Sequence, residues 1–108
     1  MIFTETERAY LAGQLPARLA TIGPDGAPQV RPVGFRLNAD GTIDIGGPAM
    51  ARSRKYRNAQ ARPEVSVLAV EVPPVAPGRF SNDIIRVHPR RIITWNLEAL
   101  GSRARDAG

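Results

Sequence analysis

No cysteine occurs among the 108 residues. That excludes disulfides, thiolate metal sites and cysteine nucleophiles. Histidine occurs once, as His88. A lone histidine, here between Arg86 and Arg90, builds neither an imidazole metal centre nor a catalytic triad, and a structural role is expected for it. Lysine also occurs once, as Lys55. The ten carboxylates are scattered singly, with no pair spaced for acid–base work. If the chain is an enzyme, a bound cofactor is expected to carry the chemistry. No apolar run approaches the roughly 18 residues of a membrane-spanning helix. The start, "MIFTETERAYL", has early acids and no apolar core of a secretory signal. The expected location is therefore the cytoplasm.

What is present is one domain's worth of chain with a strong positive bias. A chain this short buries a modest core, and pairing is a common remedy. The formal net charge is +5, which suits an anionic partner. Fourteen of the fifteen basic residues are arginine. Together with frequent Ala, Pro and Gly this reads as GC-rich coding, so arginine number alone says little. Single-stranded nucleic acid calls for aromatics interleaved with cations. Tyr56 lies among the cations of one run, but "RVHPRR" has none. Nucleic acid is not the expected partner.

Thr4 and Glu7 form a capping box that predicts a helix over about Glu5 to Ala12, ended by Gly13. "ARLATIG", "APQVRPVGFRLN" and "TIDIGG" read as three strands of an antiparallel meander, turned at "PDG" and "NADG". Ser53 should cap a second helix to about Ala61, with Pro63 as its stop. "EVSVLAVEV" is apolar on both faces and is expected to be buried on both, inside a closed sheet or against a partner chain. "PPVAPGR" reads as a loop, "DIIRVH" and "RRIITWNL" as strands parted by Pro89. Residues 1–97 make the expected domain and 98–108 an expected flexible tail. Short strands, tight turns and two small helices indicate a mostly β, antiparallel barrel.

Two stretches stand out. "MARSRKYRN" places Arg52, Arg54, Lys55 and Arg57 within six positions, and no acid lies between Asp44 and Glu64. On a helix Arg54, Arg57 and Asn58 share a face. Like charges at that spacing repel, and cations in a first turn oppose the helix dipole. The arrangement is poor for stability and good for an anion, since free helix N–H groups and charged donors both suit phosphate. The bland alternative is a solvated helix in an arginine-rich chain. The second stretch, "PQVRPVGF", holds Pro28, Pro32 and Gly34 in one strand. It implies an edge or bend, against which a flat ring could lie, or an ordinary edge blunted against aggregation. Trp95 is expected in the core or at a dimer interface.

"LPARLATIGPDGAPQVRPVGFRLNADGTIDIGG", then "RSRKYRN", "PEVSVLAVEV" and "IIRVHPRRIITW", resembles the pyridoxamine 5′-phosphate oxidase-like superfamily over residues 15–97. Within it the chain is most similar to the branch that uses the deazaflavin coenzyme F420. The resemblance implies a split β-barrel homodimer with cofactor sites at the subunit interface, acting as an oxidoreductase on a small organic molecule. It implies F420, or alternatively FMN. Ser53, Arg54, Lys55, Arg57 and Asn58 would hold the cofactor phosphate, and Arg52 the acidic tail of F420. Arg31, Pro32, Val33 and Gly34 would line the ring, with residues near Arg90 to Trp95 completing the pocket. A cofactor-binding protein without turnover is the other reading. Relatives have a further strand between "SVLAVEV" and "IIRVHP", where this chain has only "PPVAPGRFSND". Either the barrel is trimmed there or a segment is missing from the sequence.

Overall fold

The computed structural model describes residues 2–14, 16–69 and 82–107. Helix α1, Glu5–Ala12, starts where the capping box places it. The Thr4 hydroxyl accepts the Glu7 N–H, and the Glu7 carboxylate accepts the Thr4 N–H at 2.9 Å. Three strands follow: β1, Pro16–Ile22; β2, Pro28–Leu37; and β3, Ile43–Gly46. A single 3₁₀ turn, Met50–Arg52, leads into helix α2, Arg54–Ala61. The last strands are β4, Ser66–Leu68; β5, Ile85–Val87; β6, Arg91–Trp95; and β7, Ser102–Asp106.

The first five strands form one antiparallel sheet in the order β4-β1-β2-β3-β5. It curls around the core as half of a split barrel. β6 and β7 make a separate two-stranded sheet. Pro89 lies where the chain passes from one sheet to the other, as its missing N–H would suggest. Alternation sorts the side chains. Ala17, Leu19, Val33, Phe35, Ile43 and Ile45 turn inward and are buried with Phe3, Met50, Ile85 and Ile92.

Two expectations are corrected. Burial of the stretch around β4 inside a closed sheet of one chain is corrected, which leaves the expectation of a partner chain: Ser66 and Leu68 are exposed, while Val65 and Val67 pack toward the core. β4 lies at the sheet edge and pairs with β1 alone, so nothing in this chain covers its outer side among the described residues. The rest of that expected strand, from residue 70, and the expected loop at 73–79 lie outside the described residues. The expected flexible tail at 98–108 instead carries β7, paired along β6 from Arg91↔Asp106 to Trp95↔Ser102. Position in the sequence suggested fraying, but specific bonds hold it. Arg105 spans both Glu7 carboxylate oxygens, at 2.7 Å for Oε2, and donates to the Ile2 carbonyl at 2.9 Å. Thr4 donates its hydroxyl to Glu98 at 2.6 Å.

Glu7 is buried while Arg105 is part-exposed. The Arg105 guanidinium, helped by the Thr4 N–H, holds the Glu7 carboxyl below its usual range against the opposing effect of burial. Because the folded value is depressed, the contribution is complete above the ordinary carboxylate pKa, about 4.3. It is lost as pH falls through the folded value. Glu7→Gln should lower stability near neutrality by about 1–2 kcal/mol. Thermal melts of both chains across the acid range check this. The gap between them should close as the pH drops, and a pH-independent gap would assign the loss to packing instead.

Candidate functional site

β2 has ten residues, and its two neighbours cover it unequally. β1 runs alongside Pro28 to Gly34, while β3 covers only Gly34 to Leu37. On the β3 side, the edge from residue 28 to residue 33 is unpaired among the described residues. The chain leaves that edge at Gly46, opposite Gly34, and turns through Gly47, Pro48 and Ala49 into the basic segment. Ala49 holds φ 51°, a left-handed conformation costing a non-glycine residue about 1 kcal/mol. The turn sets the direction from which α2 returns over the sheet.

Ser53 is the N-cap of α2. Its hydroxyl accepts the Tyr56 N–H at 3.2 Å and donates to the Met50 carbonyl at 2.7 Å. The proton expected to serve a ligand is thus used to fix the helix start. Asn58 is also committed. It is buried, and its amide nitrogen donates to Thr21 Oγ1 at 3.1 Å and Gln29 Oε1 at 3.0 Å. It pins α2 across β1 and β2. Tyr56 and Ala59 pack against the core on the same helix.

With that side held, the cations face outward. Arg52, Arg54 and Arg57 are exposed and Lys55 is half-buried. No ion pair of the described residues involves any of them. Helix α2 has no acid in its first turn. Excess positive charge beside free helix N–H groups is what an anionic cofactor group requires, so these residues fit one. Arg54, Arg57 and Asn58 also line a groove of about 590 Å³ between α2 and the β1–β2 turn. Gly23 forms part of this wall. A Cβ there would stand 2.9 Å from Gln29 Nε2, so glycine lets the Gln29 amide close in.

The expected ring-lining residues divide between two faces. Val33 is buried, and alternation puts Arg31 on the same inward side; Pro32 and Gly34 turn to the outer face. The four share only the strand's main chain, at its open edge. Trp95 and Ile93 project from the outer side of the β6–β7 hairpin, and Trp95 is 59% exposed. A place in the core is therefore corrected for Trp95. No partner among the described residues covers it on that side. His88 is exposed between β5 and β6. Among the described residues no cluster of metal-ligating side chains occurs, and no helix is long and apolar enough to cross a membrane.

The family model for pyridoxamine 5′-phosphate oxidase matches residues 3–90. The chain belongs to that family. It is 37% identical to a 5a,11a-dehydrotetracycline/5a,11a-dehydrooxytetracycline reductase of Streptomyces rimosus, over 98% of this chain and 94% of the relative. No solved structure matches. With a named reductase aligned along nearly its whole length, this member of the pyridoxamine 5′-phosphate oxidase family is an oxidoreductase. The alignment occupies 133 positions, against 108 residues here, so at least 25 of those positions have no residue of this chain opposite them.

The groove walls from the β1–β2 turn, and the Thr21–Asn58–Gln29 contacts, were not among the residues read from the sequence. Their partners lie 37 and 29 residues apart, and no local pattern connects them. Asn58→Ala should cost about 2 kcal/mol by orphaning buried Thr21 and part-buried Gln29. It should also speed amide exchange along α2. Unchanged exchange would show that Tyr56 and Ala59 hold the helix without Asn58.

Proposed function

We propose that the protein is an F420-dependent reductase, whose cofactor phosphate sits at the start of α2 and whose ring lies along the open edge of β2. The observation that carries this reading is the unpaired cation cluster delivered to the point where β3 leaves β2. When bound, the reduced deazaflavin supplies a hydride to an activated carbon–carbon double bond. The chain's own residues bind and orient. Lys55, Arg54 and Arg57 neutralise the phosphate, with Arg52 nearby. Ser53 and Asn58 set the position of the helix that presents them. Arg31, Pro32, Val33 and Gly34 offer the ring a strand edge, with Pro32 and Gly34 keeping its outer side low. The relative's name describes reduction of dehydro-tetracyclines, and a polycyclic acceptor with such a double bond is the substrate class assigned here.

Titration with F420 and with FMN tests the cofactor. Micromolar or tighter F420 binding, weakened at least about tenfold in Lys55→Ala, is expected. A yellow preparation with a flavin spectrum would establish FMN in its place. Binding of neither would overturn the reading.

The active unit in this reading is a homodimer. Val30 and Leu68 are 56% and 40% exposed. Both lie on the outer face, on the strands that flank β1, where Ala20 pairs with Val30, and Arg18 with Leu68. Sedimentation should give twice the chain mass, and a Val30→Glu/Leu68→Glu variant should sediment as a monomer. A wild-type monomer at micromolar concentration would remove the dimer from the proposal.

A further inference from the structure

Residues 90–107 are joined to the rest of the molecule in few places. β6 and β7 pair with each other and with no strand of the five-stranded sheet. The other main-chain bonds of this segment, from the Ala107 N–H to the Arg90 carbonyl and from the Asn96 N–H to the Gly101 carbonyl, also stay within it. Among the described residues, its hydrogen bonds and ion pairs to the remaining chain all end on residues 2–7. They run from Arg105 to Glu7 and to the Ile2 carbonyl, and from Thr4 to Glu98. Ile92 sits in the core and Ala107 packs against it. The covalent link from β5 is three residues, His88, Pro89 and Arg90.

The two sides of this contact are held differently. Residues 2–7 are anchored on the five-stranded body. Phe3 is buried in the core. Ile2 packs on the β2–β3 turn, where a Cβ on Gly41 would stand 2.9 Å from Ile2 Cδ1. Thr4 and Glu7 also cap α1. The hairpin has less to hold it. A two-stranded hairpin is marginal by itself, and its outer face, with Ile93 and Trp95, is exposed. Its polar fastening concentrates on one charged fork, Arg105 across both oxygens of the buried Glu7 carboxylate. At the other end Pro89 fixes its own φ, so a swing of the hairpin falls on the bonds of His88 and Arg90.

We propose that the β6–β7 hairpin is a hinged arm that opens as one unit about His88–Arg90 while the five-stranded sheet stays folded, and that the Glu7–Arg105 contact is its latch. Opening lifts Ile92 from the core and carries Ile93 and Trp95 with it. The latch therefore decides where that apolar surface sits. It also ties the arm to the start of α1, because Thr4 and Glu7 serve the helix cap and the arm with the same side chains. Arm and latch are independent of which cofactor binds.

Hydrogen exchange resolved by residue, on the intact protein, tests both. The amides bonded across Arg91–Trp95 and Ser102–Asp106 should share one rate, at least about tenfold faster than the slowest amides of β1–β3. That rate should also rise less steeply with urea, because opening the arm exposes less surface than unfolding the sheet. Arg105→Gln should speed the hairpin amides about tenfold, the size of a charged hydrogen bond lost. Arg105→Lys keeps the charge and loses the fork, so it should speed them less, about threefold. It serves if Arg105→Gln does not fold. Wild-type hairpin amides that match β1–β3 in rate and in urea dependence would overturn the arm, since opening would then need global unfolding. Unchanged hairpin rates in whichever Arg105 variant folds would overturn the latch.

Discussion

The mismatch in length between β2 and β3 governs this molecule. Ten residues of β2 meet four of β3, so six positions of a central strand, 28–33, have no neighbour on the β3 side among the described residues. An unpaired strand edge is a liability unless something occupies it. β3 does not fade out at this point. It ends at Gly46 opposite Gly34, and the next residues fold over into the basic helix. A strand edge carrying main-chain donors and acceptors, next to a concentration of positive charge, follows from where one strand stops. Ala49 in its left-handed conformation and Ser53 at the cap keep that departure fixed.

Charge placement follows the same division. Elsewhere four of the described arginines have acids: Arg86 and Arg36 share the buried Asp44, Arg105 clasps Glu7, and Arg91 meets Asp106. Asp44 is held below the usual carboxylate range chiefly by hydrogen bonding to Arg86, with burial opposing. At α2 the pattern reverses. Five cations from Arg52 to Arg62 have no acid anywhere between Asp44 and Glu64. Coding bias accounts for how many arginines there are. It does not account for the absence of any acid between Asp44 and Glu64. Repulsion along α2 is a standing cost, offset by the Asn58 bonds and by Tyr56 and Ala59 in the core.

Much of this was legible because the signals are local. Thr4 and Glu7, the two tight turns, Ser53 and Pro63 each fix a few residues through neighbours in sequence, and the elements appear where those residues place them. The cation cluster was also readable, since it lies in one short run. What could not be read depends on contacts across the fold. The stop of β3 partway along β2 is a matter of register, and "TIDIGG" does not say how far it pairs. Arg105 in "GSRARDAG" has no visible reason to be ordered until Glu7, 98 residues away, is beside it. β4 has a two-sided apolar pattern, yet one chain covers only one of its sides.

That last disagreement bears on chemistry. Hydride transfer needs a site from which water is excluded. In the single chain, α2 covers the inner side of the sheet near the open edge. The outer face of the same strands exposes Val30 beside Ala20, and Leu68 beside Arg18. The reductase relative extends over at least 25 aligned positions that this chain does not fill, so less of its own chain is available to close the cleft. If the open edge of β2 holds the ring, the described residues leave one wall unsupplied, and a partner chain is the source proposed for it. The apolar surfaces to meet it, on the outer sheet face and at Ile93 and Trp95 of the hairpin, are already exposed. In the proposed enzyme, pairing then serves the chemistry, because the described residues of one chain leave the reacting edge open.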